Sequence, residues 1–311
     1  MFKKVVHIGK RLMVDAYNAC FNPAYGQILM LHRIGREEQV RQRCLGELMV
    51  SVEWLQHFVD EKRKHFDFVS LDEVTERILH QSKRVRPFIC FTLDDGFRDN
   101  LTAGLPFFEK NDIPFAVFVT SDFVNRHPAF NYPFLLEHIV RDNETMCVDG
   151  QSYECRTEEQ KNQTFGKLKS LVLSQSYEGF EDRIETLFSP YIMPSYREDL
   201  TMTWDEVGEM ANSPLCTVGS HAMTHCRLSN LTDEELKYEL GESKRQIEDH
   251  LGKPCEYISY PFGWITDVNE NVCRVAKEVG YKMGLVSHGG GIKKNDRDLF
   301  SVKRIMLTEY E

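Results

Sequence analysis

The chain has 311 residues, 41% of them apolar, and a formal net charge of −10 with a pI near 5.6. That apolar share permits a sizeable core without staples, and the acidic balance argues against a nucleic-acid surface or an anionic membrane as the main partner. Nine cysteines (Cys20, Cys44, Cys90, Cys147, Cys155, Cys216, Cys226, Cys255, Cys273) are an odd count with no C-x-x-C pair, which fits a reducing compartment better than a disulfide framework. The basic start meets Asp15 and Asn18 before any signal-peptide core forms, and no run of about 18 apolar residues exists. The expectation is a soluble cytoplasmic protein with no transmembrane segment.

Residues 1–26 read as an N-terminal extension. Gln27–Leu31 is a short apolar strand that ends at His32. Ser51-Val-Glu-Trp opens a helix with apolar residues at Leu55, Phe58 and Val59 and an acidic first turn. A strand over 66–70, a helix from Leu71, a strand over 88–93, a helix through Leu101, Leu105 and Phe108, and a strand over 115–120 follow. This alternation predicts a parallel α/β sheet or barrel. It breaks between about 123 and 200, a polar stretch with helical spacing at Phe165, Leu168 and Leu171, read as an inserted helical segment rather than a separate domain. The pattern resumes with a strand at Cys216 and a helix opened by Thr232-Asp-Glu-Glu235, with Leu236, Leu240, Ile247 and Leu251 on one face and Gly252 and Pro254 as its stop. Strands at 257–260 and 283–286 flank a helix carrying Val272, Val275 and Val279.

The chemistry concentrates at strand ends, where parallel α/β architectures collect ligands. The apolar run Phe88–Phe91 leads into Thr92-Leu-Asp94-Asp95-Gly96. Adjacent carboxylates at the end of a buried strand are expensive, since each raises the other's pKa and both lose hydration. A cation between them, or work as a base, justifies the arrangement. Ser220-His221-Ala-Met-Thr-His225 supplies two imidazoles at i, i+4. One Asp and two His make a three-ligand metal site with an open position for water, and the other Asp is then free to take a proton. Alone, the Asp pair could be a turn or helix cap, and the His pair a surface pair.

Thr92-Leu-Asp-Asp-Gly, Ser220-His-x-x-x-His225 and Tyr260-Pro-Phe-Gly263 together resemble the motifs of the polysaccharide deacetylases, the NodB-homology or carbohydrate esterase family 4 proteins. The resemblance covers roughly 27–120 and 200–307 and implies a distorted, incomplete (β/α) barrel. It implies Asp94 as general base, and Asp95, His221 and His225 as ligands of a divalent metal, usually zinc. Phe262 is the candidate for a backbone N–H facing the oxyanion, and the substrate is an N-acetylated sugar or polysaccharide precursor, expected in the cytoplasm as a lipid- or nucleotide-linked intermediate.

Two departures from the commonest family pattern stand out. Leu285-Val-Ser-His288 runs into glycines and reads as a loop start, whereas Leu29-Met-Leu-His32-Arg-Ile resembles the N-terminal motif of the poly-N-acetylglucosamine deacetylase branch. His32 is therefore the expected acid, with His288 in reserve. The arginine that normally precedes the proline by two positions is Ser259 here, and Arg304 is the candidate replacement for holding Asp94 ionised. Trp204 and Trp264 are candidates for walls of an acetyl pocket. His7, His57, His65, His80, His127, His138 and His250 lack a partner pattern and read as surface residues. The rival readings are hydrolysis of another non-peptide C–N bond on the same site, and a catalytically inactive sugar-binding member.

Overall fold

The computed structural model describes residues 25–37, 44–45, 48–80, 86–125, 132–173, 180–193, 196 and 200–309. Most of the expected N-terminal extension, with His7, Cys20 and His127, lies outside them. In chain order come β1 (Gly26–Leu31), β2 (Arg33–Gly35), β3 (Met49–Ser51), α1 (Val52–Lys62), β4 (Asp67–Phe68), α2 (Leu71–His80) and β5 (Phe88–Leu93). A π turn over Asn100–Gly104 enters α3 (Leu105–Asn111), followed by β6 (Phe115–Val119) and α4 (Ser121–Val124). The insertion holds α5 (Tyr132–Asp142), the hairpin β7 (Thr145–Val148) and β8 (Gln151–Glu154), α6 (Glu158–Leu173) and α7 (Phe180–Phe188). The chain closes with α8 (Trp204–Asn212), β9 (Cys216–Ser220), α9 (Asp233–Leu251), β10 (Tyr257–Ser259), α10 (Glu270–Val279), β11 (Met283–Gly289) and β12 (Val302–Met306).

Strands β1, β5, β6, β9, β10, β11 and β12 pair side by side in that order, all parallel, and β12 returns to β1. The barrel closes with seven strands, one short of the eight of a full (β/α) barrel, so the expected barrel is present and its incompleteness is a missing strand. β4 adds alongside the first residues of β5, and β2 and β3 form a separate parallel pair just past β1. Strands such as β5 and β6 are buried along their whole length, as parallel strands covered on both faces must be.

Strand alternation sorts the side chains into two layers. Leu29, Ile89, Phe91, Phe115, Val117, Ile258 and Val286 pack outward against Leu55, Phe108, Val207, Leu240 and Val275 of the surrounding helices. Ile28, Cys90, Ala116, Phe118, Tyr257, Leu285 and Val302 point inward and fill the barrel, joined by Leu71, Val74 and Ile78 of α2. Local signals set the helix ends as expected. Ser51 caps α1, Thr232 and Glu235 form a capping box on α9, and Gly252 ends α9 in the left-handed region.

Three features depart from the sequence reading. β11 continues to Gly289, with an irregularity between Val286 and Gly289, so His288 belongs to a strand rather than a loop start. The insertion carries a hairpin as well as helices and has its own apolar cluster, including Leu135, Ile139, Tyr153, Leu168 and Phe188. That cluster also contains Phe97, the residue after Gly96. The backbone ties Phe97 to Thr201, and Met202 N–H donates to Gly96 O at 3.0 Å, so the insertion is anchored beside the carboxylate pair. The eight described cysteines are free thiols, and no helix among the described residues is long and apolar enough to cross a membrane.

Gly219, two residues before His221, marks close packing under the site. A Cβ there would stand 2.5 Å from a Phe118 ring carbon and 2.9 Å from the Tyr257 carbonyl oxygen. Gly219→Ala should destabilise the fold by about 1–3 kcal/mol through overpacking, read as a lower urea midpoint at unchanged m-value.

Candidate active site

Continuing the inward alternation past the apolar filling yields a polar layer at the C-terminal end of the barrel. Thr92 and Asp94 follow Cys90, Ser259 follows Tyr257, Ser287 follows Leu285 and Arg304 follows Val302, while His32 and His221 extend the inward sets of β1 and β9. Six strands thus deliver their last inward residues to one place.

Arg304 is fully buried and grips Asp94 with both ends of its guanidinium, Nη1 to Oδ1 at 2.8 Å and Nη2 to Oδ2 at 2.7 Å. Its remaining donors go to Ser259 Oγ (2.7 Å), Thr92 Oγ1 (3.2 Å), Ser287 Oγ (3.4 Å) and Val286 O (3.3 Å). Ser259 Oγ also donates to Asp94 Oδ2 at 3.2 Å. Burial opposes ionisation of Asp94, but the Arg304 charge and its hydrogen bonds outweigh it and hold the carboxyl well below the usual range. The small serine at 259 leaves the space that the β12 arginine fills.

Asp95 lies in the left-handed region at φ 73°, followed by Gly96 at φ 72°. The chain leaves strand geometry there, and both carboxyls of the adjacent pair reach the site. Asp95 Oδ1 sits 3.4 Å from His221 Nε2 and 3.4 Å from His225 Nε2, and all three ligand atoms lie within 4.8 Å of one another. His221 Nδ1 donates to Ser259 O at 2.7 Å, which leaves Nε2 as a bare lone pair. Burial holds both imidazoles below their ordinary pKa, and for His225 the His221 charge adds to it. Burial, and then the Asp94 charge, push the Asp95 carboxyl up.

The donor set fits a divalent cation. Asp95 Oδ1 is a buried oxygen with no hydrogen-bond partner among the described residues, facing the Nε2 atoms of both imidazoles. Two ligand atoms each about 2.1 Å from a tetrahedral zinc are about 3.4 Å apart, the separation seen from Asp95 to each imidazole. The Ser259 carbonyl that accepts from His221 Nδ1 makes the orienting bond that metal-bound histidines usually have.

His32 belongs to the same group. Burial lowers its pKa to about 4, with Asp94, His221 and Arg304 as its charged neighbours, and its buried Nδ1 has no hydrogen-bond partner among the described residues. His288 lies elsewhere. Strand alternation turns it outward with Val286, and its Nδ1 donates to Gly263 O at 2.8 Å, behind the Phe262 turn. Phe262 is left-handed at φ 60°, at the centre of a three-residue turn closed by Gly263 N–H to Pro261 O at 2.6 Å. A bulky residue in that region is strained. Its ring stands edge-on to His225 at 4.8 Å, and its N–H donates to no protein group among the described residues.

Trp204 does not wall the site. It stacks on His250 at 4.2 Å and donates to Asn125, on the outer helical layer. Trp264 is exposed on the loop after Gly263. His57, His65, His80 and His250 are on the surface as expected, while His138 is half-buried and stacked on Tyr196. The sequence reading passed over Glu239 and Ser243. Both interrupt the buried stripe of α9 with polar groups, and that interruption was the available signal. Glu239 Oε1 accepts from Met223 N, Thr224 N and Thr224 Oγ1, inside the loop between the two imidazoles.

Residues 81–284, more than half of the chain, match the polysaccharide deacetylase family. YxkH of Bacillus subtilis (strain 168), whose name assigns it to the polysaccharide deacetylases, is 26% identical over 107 residues, 34% of this chain and 37% of YxkH. The match therefore spans little more than a third of that relative. Among solved structures, the Streptococcus pyogenes deacetylase PplD in complex with acetate superposes with a TM-score of 0.59 at 16% identity, over 91% of this chain and 92% of that one. A de-N-acetylase from Aggregatibacter actinomycetemcomitans gives 0.57 at 15% (92% and 96%), and IcaB from Ammonifex degensii 0.56 at 15% (92% and 93%). At such identities these structures speak for the barrel alone. With the matched segment containing Asp94, Asp95, His221, His225 and Phe262, and with His32 and Arg304 contributed by the flanking β1 and β12 ends, the chain belongs to the polysaccharide deacetylase family, the NodB-homology or carbohydrate esterase family 4 proteins.

Proposed function

We propose that the protein is a zinc-dependent N-deacetylase that hydrolyses the acetamide of an N-acetylated sugar or polysaccharide precursor, releasing acetate and a free sugar amine. The observation that carries this reading is the buried oxygen of Asp95, which has no hydrogen-bond partner among the described residues and stands 3.4 Å from Nε2 of each imidazole beside a second, ionised carboxylate.

Asp95, His221 and His225 would hold the cation, which when bound supplies acidification of a water molecule and polarisation of the acetyl carbonyl. Asp94 then receives a proton as the new C–O bond forms. Arg304 keeps Asp94 ionised before each turnover, and so weak a base requires a proton donor that is already acidified. The Phe262 N–H, which no protein acceptor claims, supplies a donor to the developing oxyanion. Departure of the amine breaks the C–N bond and requires a proton on nitrogen. His32, neutral at pH 7, can deliver one only after receiving it within the same turnover, and Asp94 is the neighbour that has just gained one. His32 is thus the acid, and His288 supports the Phe262 turn from outside.

Zinc content and acetate release from N-acetylglucosamine oligomers test the reading together. Asp94→Asn should lower kcat/KM by about 10²–10⁴ with zinc content unchanged, and His32→Ala should fall in the same range, while His288→Ala stays within about tenfold of wild type. Asp95→Ala or His221→Ala should lose the metal. A zinc-loaded wild-type protein that releases no acetate, or one that takes up no zinc, overturns the proposal.

The Asp94–Arg304 pair makes a separate stability prediction. Arg304→Met leaves a buried carboxylate without its partner and should cost about 3–5 kcal/mol at pH 7. The Asp94 pKa is depressed in the folded state, so the pair's contribution is fully present above the ordinary carboxylate pKa of about 4 and is lost progressively as pH falls below it toward the depressed folded value. Urea midpoints should accordingly converge between wild type and variant as the pH drops from 7 toward 3.

A further inference from the structure

The segment His221–His225 must present two imidazoles to one point, yet it is a short irregular loop with left-handed backbone at Ala222 (φ 62°) and again at His225 (φ 60°). Neither residue is a glycine, so the loop holds a conformation that its own chain disfavours. Something outside the loop has to impose it.

On one side the loop is pinned by the end of β6 and by α4. His221 N–H donates to Val119 O at 2.8 Å, Thr120 Oγ1 to His221 O at 3.2 Å and Asp122 N–H to Met223 O at 2.9 Å. On the other side it is pinned by α9. One oxygen of Glu239 accepts Met223 N–H (3.0 Å), Thr224 N–H (2.6 Å) and the Thr224 hydroxyl (2.9 Å), while Ser243 Oγ donates to Ala222 O at 2.9 Å. Met223 and Thr224 are the residues between Ala222 and His225. The platform is rigid: α9 runs 19 residues from a capping box to a left-handed Gly252, and Leu236, Leu240 and Ile247 seat the same face in the core. A glutamate in such a stripe carries a burial cost that an apolar residue would not. The three donors it collects are all in the ligand loop.

We infer that Glu239 is a positioning residue that sets the placement of His225 relative to His221 and thereby the affinity of the cation site, with Ser243 as its companion one turn later. The inference rests on the metal reading above. Preorganised ligands bind without first ordering the loop, and outer groups that orient ligands are typically worth 10–100-fold in metal affinity.

The test is zinc affinity by competition with a chromophoric chelator, together with the visible spectrum of the cobalt(II) form. Both are measured on full-length protein whose metal-free form unfolds cooperatively. Glu239→Asp withdraws the carboxylate while keeping its charge and should bind zinc about 10–100-fold more weakly with an altered cobalt spectrum. Glu239→Gln keeps an acceptor oxygen in place and should restore affinity to within about threefold of wild type. If Glu239→Asp does not fold, Thr224→Val, which deletes one of the three donors, should bind zinc about three- to tenfold more weakly. The inference is overturned if the folded Glu239→Asp protein, or Thr224→Val in its stead, binds zinc as wild type does. It is also overturned if Glu239→Gln is as weak as Glu239→Asp, which would mean that an acceptor oxygen at full reach does not hold the loop. A wild-type protein that takes up no zinc overturns the metal reading and this inference together.

Discussion

Two carboxylates on consecutive residues, both buried at a barrel end, cannot be left to each other. Asp94 and Asp95 must each find a positive or proton-bearing partner, and much of the site's architecture follows from keeping those partners apart. Asp94 completes the inward alternation of β5 and meets the Arg304 fork. Asp95 would point outward if the strand continued. The left-handed turn at 95 and 96 redirects its carboxyl to the imidazoles instead. Aspartate tolerates that region better than most side chains, which makes an Asp-Gly step a cheap way to bring two acids to one site. The insertion is anchored at the same step, since Gly96 O and Phe97 hold residues 201 and 202.

The same economy appears around the rest of the layer. Of the six left-handed non-glycine residues among those described, four are Asp95, Ala222, His225 and Phe262, all at or within the site loops. Each sits where a strand has ended and a side chain or N–H must be aimed. Strain is held there by groups farther out: Glu239 and Ser243 for the His loop, and Ser287 N–H and His288 for the Phe262–Gly263 turn. His288 is placed to support a turn and His32 within the field of Asp94, although both are histidines at the ends of barrel strands.

Barrel closure also explains how parts of the site can come from different places in the chain. Because β1 lies between β5 and β12, a residue at the end of β12 reaches Asp94 as readily as one from β10. Arg304 on β12 therefore does what an arginine at 259 would do, and Ser259 links the two arrangements by bonding Arg304, Asp94 and, through its carbonyl, His221.

Much of this was legible in the residues. The Asp-Asp-Gly step, the paired histidines and the capping of α1 and α9 are local patterns whose physical meaning depends on few distant contacts, and the alternation of strand and helix was enough to indicate a parallel α/β sheet or barrel, the choice of a barrel resting on the family resemblance. What local pattern could not show is which way a side chain faces once strands pair. His288 stands in a strand that alternates away from the site, Trp204 lies on the outer layer, and the hairpin in the insertion has exposed polar positions that carry little apolar signal. Glu239 was hidden for the same reason: its donors are 15 and 16 residues away across a helix–loop contact. The amino-acid sequence by itself determined which chemical groups are available and the order in which they arrive, because composition and short-range spacing are properties of the chain. Only the tertiary structure decided which of them meet, because register, barrel closure and backbone handedness depend on contacts between segments that lie far apart along it.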